Sequence, residues 1–389
     1  MQTRGVGRTT GSGVGHGRSG AARAARGRRS GAARAARGRR IAPFVLALAL
    51  VSLLVLAACG GARGTAQGGP GFRVGLVTDV GKIDDRSFNQ SVWEGVQQAQ
   101  REVPGITETK YIETTDPKDY EKNIQQFTDA GYDVVVTVGF ALAEATYQAA
   151  KRSPAIRFIG VEQVLAKDDQ HPDWPLPNLV GITFEDDKAG FLAGALAGLV
   201  TRSGTVGAVL ATDAVPPVYR FGEGFRAGVR HANPAAQLVV AYHNDVGLDR
   251  TFSDPEWGKT TAYSQIDRGA DIVFGAGGKT GNGALIGAVE RGKWAIGVDA
   301  DQYYTVPEAQ KGLLSSAMKL LTPATVHLVR AAKEGSFPPG LFTGDVALAP
   351  FHDLDGQVSA DVKGRLAEIQ RGLTDGAIKT GVPAVKPAS

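Results

Sequence analysis

Cysteine occurs once in 389 residues, at Cys59, so the chain can form neither an internal disulfide nor a multi-thiolate metal site. The six histidines have no metal-ligand spacing, and HExxH and GxSxG are both missing, which removes two common hydrolytic chemistries. Gly278-Lys279-Thr280 looks like the end of a phosphate-binding loop. That loop needs a glycine five positions before its last one, and Val273 stands there. Acidic residues are absent from positions 1–58, and no transmembrane candidate follows Ala58.

Positions 1–40 are instead rich in Arg, Gly and Ala. The run from Ser19 to Arg29 recurs word for word from Ser30 to Arg40. Such a segment cannot bury a core. Ile41 to Ala58 is almost wholly apolar and ends Leu56-Ala57-Ala58-Cys59. A basic region, an apolar core and small residues before a cut site make a secretory signal. The small residues before Cys59 resemble the bacterial lipobox, in which the cysteine takes acyl chains and becomes the new N-terminus. An uncleaved span over Ile41–Ala58 is the alternative, at the short end of the usual length. The expected order is therefore a signal peptide over 1–58 and a lipidated, Gly/Ala-rich flexible tether over 59–71. Removing 1–58 takes away 11 of the 43 basic residues and none of the 39 acidic ones, leaving 32 against 39 and a net charge of −7. A mildly acidic domain argues against nucleic acid as a partner.

From Phe72 the pattern alternates short apolar strands with helices. Phe72–Thr78, Asp133–Val138 and Arg157–Val161 read as strands, with helices at Ser87–Val103, Tyr120–Ala130 and Ala141–Lys151. A second cycle follows: a small-residue helix at Asp186–Val200, strands at Val206–Leu210, Leu238–Tyr242, Ile272–Phe274 and Ala295–Val298, and helices between them. This predicts two doubly wound parallel-sheet α/β lobes. In such sheets ligands bind outside the carboxyl ends of the strands, which here means an interlobe cleft. The expected division is 72–183 plus about 300–325 for the first lobe, and 184–299 plus about 326–389 for the second. Val362–Leu373 reads as a helix.

The first strand runs into Thr78-Asp79-Val80-Gly81-Lys82-Ile83-Asp84-Asp85-Arg86-Ser87-Phe88-Asn89, followed by Trp93 and Gly95. This resembles the opening signature of the basic membrane protein family of lipoproteins. Further landmarks follow in order: Asp133–Phe140, Phe221-Gly222-Glu223-Gly224-Phe225-Arg226-Ala227-Gly228, Ile296-Gly297-Val298-Asp299-Ala300-Asp301-Gln302 and Ser315-Ser316-Ala317-Met318-Lys319. The resemblance implies a type I periplasmic-binding-protein-like receptor of an ABC-type importer. Such a receptor is held to the outer face of the cell membrane by a lipid anchor, binds a purine nucleoside for uptake, works with permease and ATPase subunits, and has no catalysis and no cofactor of its own. Carried over residue by residue, it implies that Asp79, Phe88, Asn89, Phe252, Gly277, Asp299 and Lys319 contact ligand. The chemistry is consistent: carboxylates accept from ribose hydroxyls, and aromatic rings stack on a base. At Glu162 the family commonly has Asp, so the contact there is expected to differ.

Several residues have plainer readings. Asp84 and Asp85 are expected to cap the helix near Ser87. Trp93, Phe221 and Phe225 are expected in the core, and Asp301 and Gln302 as supports for Asp299. Two other functions compete. Sugar receptors share the architecture. Nucleoside hydrolases open with an aspartate cluster that holds calcium, which Val77–Asp85 approaches. Val77 stands in place of its first aspartate, however, and an extra residue separates Gly81 from the Asp pair, which breaks the ligand spacing.

Overall fold

A computed structural model describes residues 71–387. The arginine-rich leader, the apolar stretch and Cys59 lie outside the described residues. Parallel strands build both sheets, mostly buried at the centre, where helices cover both faces, and partly exposed at the edges. In the first sheet these are β1 (Phe72–Thr78), β2 (Ile106–Ile112), β3 (Val134–Val138), β4 (Arg157–Val161) and β5 (Leu179–Phe184). The second sheet holds β6 (Thr205–Leu210), β7 (Gln237–Tyr242), β8 (Ile272–Ala276), β9 (Trp294–Asp299) and β10 (Leu313–Lys319). Two late strands, β11 (Gly340–Gly344) and β12 (Val346–Leu348), complete one edge of each, giving β11-β5-β4-β3-β1-β2 and β12-β10-β9-β8-β6-β7. Every pairing is parallel except β10 with β12. The strand order reverses at β1/β3 in one sheet and at β6/β8 in the other, the places where doubly wound sheets open a crevice.

Helices cover both faces of each sheet. On the first, α1 (Phe88–Glu102) buries Val92, Val96 and Ala99, spaced as one helical face, against the same core as Leu328 and Val329 of the later helix α8 (Leu321–Glu334). The opposite face takes α2 (Tyr120–Asp129) and α3 (Ala143–Arg152). In the second lobe, α4 (Asp186–Val200), α5 (Pro216–Ala232) and α9 (Ala360–Asp375) share one core, while α6 (Pro255–Asp267) and α7 (Gly278–Glu290) share another. The glycines of α4 and α5 explain their close packing: a Cβ on Gly194 would lie 2.0 Å from the Phe225 carbonyl oxygen, and one on Gly228 would lie 2.0 Å from that of Phe191. None of the described helices is long and apolar enough to cross a membrane.

The chain passes between the lobes after Phe184, after Lys319 and after Gly344. The expected division is corrected here. Strand β10 pairs in register with β9 (Ser316 beside Gly297), which keeps 300–319 in the second lobe. Residues 321–344 belong to the first lobe instead, because α8 buries Leu321, Leu328 and Val329 there and β11 pairs with β5.

Candidate ligand-binding site

The carboxyl ends of the strands from both sheets face a single cleft containing a cavity of about 360 Å³. All eight residues expected to contact ligand line it: Asp79, Phe88, Asn89 and Glu162 from the first lobe, and Phe252, Gly277, Asp299 and Lys319 from the second. Glu162 and Asp299 occupy equivalent places in the two sheets, after β4 and at the end of β9. Asp79 follows β1, Glu162 follows β4, Gly277 follows β8 and Asp299 ends β9. Glu162 and Asp299 both have left-handed backbone, with φ of 58° and 65°, which is rare for residues other than glycine and clusters at functional sites. At the end of β3, Gly139 has φ 110°, and a Cβ there would lie 2.6 Å from Asp79 Oδ2. Only glycine leaves room for that carboxylate.

Asp79 Oδ1 accepts from the Gly81 N–H (2.8 Å) and from Asn89 Nδ2 (3.3 Å). Burial raises its pKa against those two bonds. Asp85 caps α1: its carboxylate accepts from the backbone N–H groups of Ser87, Asn89 and Gln90, at 2.9, 2.9 and 3.2 Å. It also accepts from Asn89 Nδ2 at 3.2 Å. Both Asn89 amide interactions are therefore with carboxylates. Burial, opposed by these bonds and aided by the Asp299 charge, pushes Asp85 up to about 7. Asp84 does not cap. It is exposed and accepts from Lys279 of the second lobe at 2.8 Å.

Lys319 is the electrostatic centre. Its ammonium lies 2.8 Å from Glu162 Oε1, 3.3 Å from Asp186 Oδ1 and 3.5 Å from Asp299 Oδ1. It also sits over the Phe88 ring, 4.9 Å from the centroid. Burial alone would lower its pKa, but the three carboxylates outweigh this and hold it above the ordinary lysine value. Glu162 therefore spends its carboxylate on Lys319, the contact that its extra methylene reaches. Asp299 Oδ2 accepts from Ser87 Oγ across the cleft at 2.8 Å.

Second-lobe side chains converge on Asp84–Ser87 of the first. Asn282 donates to the Asp85 carbonyl (2.8 Å), Gln302 and Thr305 donate to that of Arg86 (3.3 and 2.7 Å), and Arg86 pairs with Glu308 (2.9 Å). Gln302 also accepts from the Val298 N–H at 2.9 Å, which gives it the expected supporting role beside Asp299. Phe225 and Trp93 pack in or against the cores, whereas Phe221 is buried in the core and also lines the cavity. The glycine run at Gly277 opens α7, where Thr280 Oγ1 donates to the Thr251 carbonyl (2.7 Å) and accepts from the Asp254 N–H (2.9 Å). These bonds hold the loop that carries Phe252. Asp186 escaped sequence reading, because a buried acid at a helix start carries no motif, and Ser87, though inside the opening signature, was read only as the start of a helix. No group of acidic, His or Cys side chains among the described residues is arranged to hold a metal ion.

The family model for PnrA-like ABC transporter substrate-binding proteins matches residues 72–341. The chain is 33% identical over 365 residues to the CD4+ T-cell-stimulating antigen of Listeria innocua, spanning 86% of this chain and 97% of that one. It is 30% identical over 361 residues to the ABC transporter nucleoside-binding protein BmpA of Lactococcus lactis subsp. cremoris, again with 86% and 97% covered. Among solved structures, an ABC transporter solute-binding protein of Aeropyrum pernix superposes with TM-score 0.68 at 22% identity, covering 79% of this chain and 92% of that one. The expected pair of parallel-sheet lobes is thus a type I periplasmic-binding-protein fold.

Proposed function

Because the chain belongs to the family of PnrA-like substrate-binding proteins of ABC transporters, we propose that its cleft captures a purine nucleoside outside the cytoplasm and delivers it to a permease. The observation that carries this reading is the convergence of Phe88 and Phe252, Asn89, carboxylates from both lobes and the buried Lys319 on a single cavity of about 360 Å³. That volume suits a small-molecule site. Phe88 and Phe252 supply the flat faces a base needs, and Asp79, Glu162 and Asp299 supply acceptors for hydroxyl and N–H donors. Closure of the lobes buries the ligand and presents a changed surface to the permease. The chain itself carries out no chemistry; ATP hydrolysis belongs to its partner subunit.

Calorimetric titration with guanosine, inosine, adenosine, pyrimidine nucleosides and free ribose tests the reading. Purine nucleosides are expected to bind most tightly. Tight binding of ribose with no nucleoside binding refutes it, and calcium-dependent release of free base from inosine refutes the absence of catalysis. We further propose that Cys59 is acylated after cleavage and tethers the domain to the membrane. Cys59→Ser is expected to leave nucleoside affinity unchanged and to move the protein from the membrane fraction to the soluble one.

A further inference from the structure

Two of the three crossings between the lobes meet side chain to side chain. Asp186 opens α4, just after β5 delivers the chain out of the first lobe, and Lys319 ends β10, just before α8 takes it back. Asp186 is fully buried. Lys319 Nζ approaches one of its carboxylate oxygens at 3.3 Å and Arg220 Nη1 the other at 3.4 Å, and neither oxygen receives a well-formed hydrogen bond. Arg220 is engaged elsewhere, donating to the Phe184 carbonyl at 3.1 Å and to Asp187 at 2.6 Å. Asp186 does not line the cavity. The ligand site and the hinge therefore share one lysine.

The two cleft carboxylates that Lys319 bridges come from opposite lobes, Glu162 from the first and Asp299 from the second. Their repulsion opposes closure, and the lysine between them offsets it. An ionised Asp186 is a third negative charge competing for the same cation from the hinge side. We propose that Asp186 is a positioning residue: its charge state divides Lys319 between hinge and cleft, and so sets how readily the lobes close on the ligand. This rests on the nucleoside reading above. The charged groups facing Asp186 are Lys319 from β10, Arg220 from α5 and Glu162 from the end of β4, with Asp299 of β9 reached through Lys319. Burial, together with the Glu162 charge and against Lys319 and Arg220, pushes the carboxyl up to about 8. Glu162, whose charge adds to that rise, belongs to the opposite lobe, so bringing the lobes together strengthens the hold of Asp186 on its proton, and proton and ligand favour the same state.

The test compares wild type, Asp186→Asn and Arg220→Gln between about pH 6 and about pH 9, the span in which such a carboxyl changes charge. Guanosine affinity is read by calorimetry, and closure of the ligand-free protein by small-angle X-ray scattering. Wild type is expected to bind more tightly at the acid end, on the order of tenfold for each unit by which closure raises the carboxyl's pKa. Asp186→Asn is expected to lose that dependence apart from the part that Asp85, which lines the cavity, contributes near pH 7, and to bind more tightly than wild type at the alkaline end. A gain of that kind cannot come from partial unfolding. Arg220→Gln removes a cation that favours the ionised carboxyl and should move the wild-type midpoint to higher pH. An Asp186→Asn variant that keeps the wild-type slope, or that is weaker at every pH, overturns the proposal. If wild type takes no nucleoside at any pH, the functional reading fails, and scattering then decides this inference. Closure that depends on pH more steeply in wild type than in Asp186→Asn supports it; identical profiles sink it.

Discussion

Asp299 carries three demands at once: a left-handed backbone, the Ser87 hydroxyl from the opposite lobe and the Lys319 ammonium. Replacing it with alanine removes both side-chain ties and leaves Lys319 with fewer counter-charges. Asp299→Ala is expected to weaken nucleoside binding by more than tenfold, the loss of about 1.4 kcal/mol or more, while the thermal melt stays within a few degrees of wild type. Unchanged affinity in the same titration removes Asp299 from the site. Seven of the eight expected residues were legible because each follows a strand or sits in an ordered landmark, whereas Phe252 came from the resemblance alone. What stayed hidden was how they are shared. Nothing in the order of residues says that Glu162 binds Lys319, or that Asp186 waits behind it, since both contacts join positions far apart in the chain.

Helix α1 shows how an element aims a site. Its cap is Asp85, two residues before the residue that flanks the helix, and the same carboxylate holds Asn89. With its pKa pushed up to about 7, Asp85 binds its proton more tightly in the folded than in the unfolded chain. Its contribution to stability is therefore greatest at low pH and is lost as pH rises from the ordinary carboxylate range through about 7. Wild type should melt at a lower temperature near pH 8 than near pH 5, and Asp85→Asn should show a smaller difference between the two; an equal slope in both proteins excludes Asp85 as its source. Strands β1, β3 and β4 were legible as short, largely apolar runs. β10 was not, because it buries Ser315 and Ser316, whose hydroxyls bond to the Ala349 carbonyl and the Gln302 N–H. Helix α8 was missed as well. Pro323 reads as a breaker, yet it lies in the first turn, where its missing N–H costs nothing.

Between the lobes, buried and exposed ties have different weights. Arg86–Glu308 and Asp84–Lys279 join the lobes at the exposed rim, and pairs of that kind contribute about 0–1 kcal/mol. Glu308→Gln is expected to weaken guanosine binding less than tenfold at low ionic strength and not measurably in high salt. A large, salt-independent loss would show that the rim pair holds the closed state. The two-lobed plan was legible from the alternation of strands and helices, but the crossing points were not, because they depend on which sheet a late strand joins. That routing also governs how the protein is made. The first lobe lacks Leu321, Leu328 and Val329 from its core, and β11 from its edge, until the chain has been synthesised past residue 344. Its N-terminal half therefore cannot settle into a finished fold while the rest is still on the ribosome. For the export proposed above, this routing delays a finished first lobe, and so keeps the chain threadable through a translocon, until almost all of it has been made.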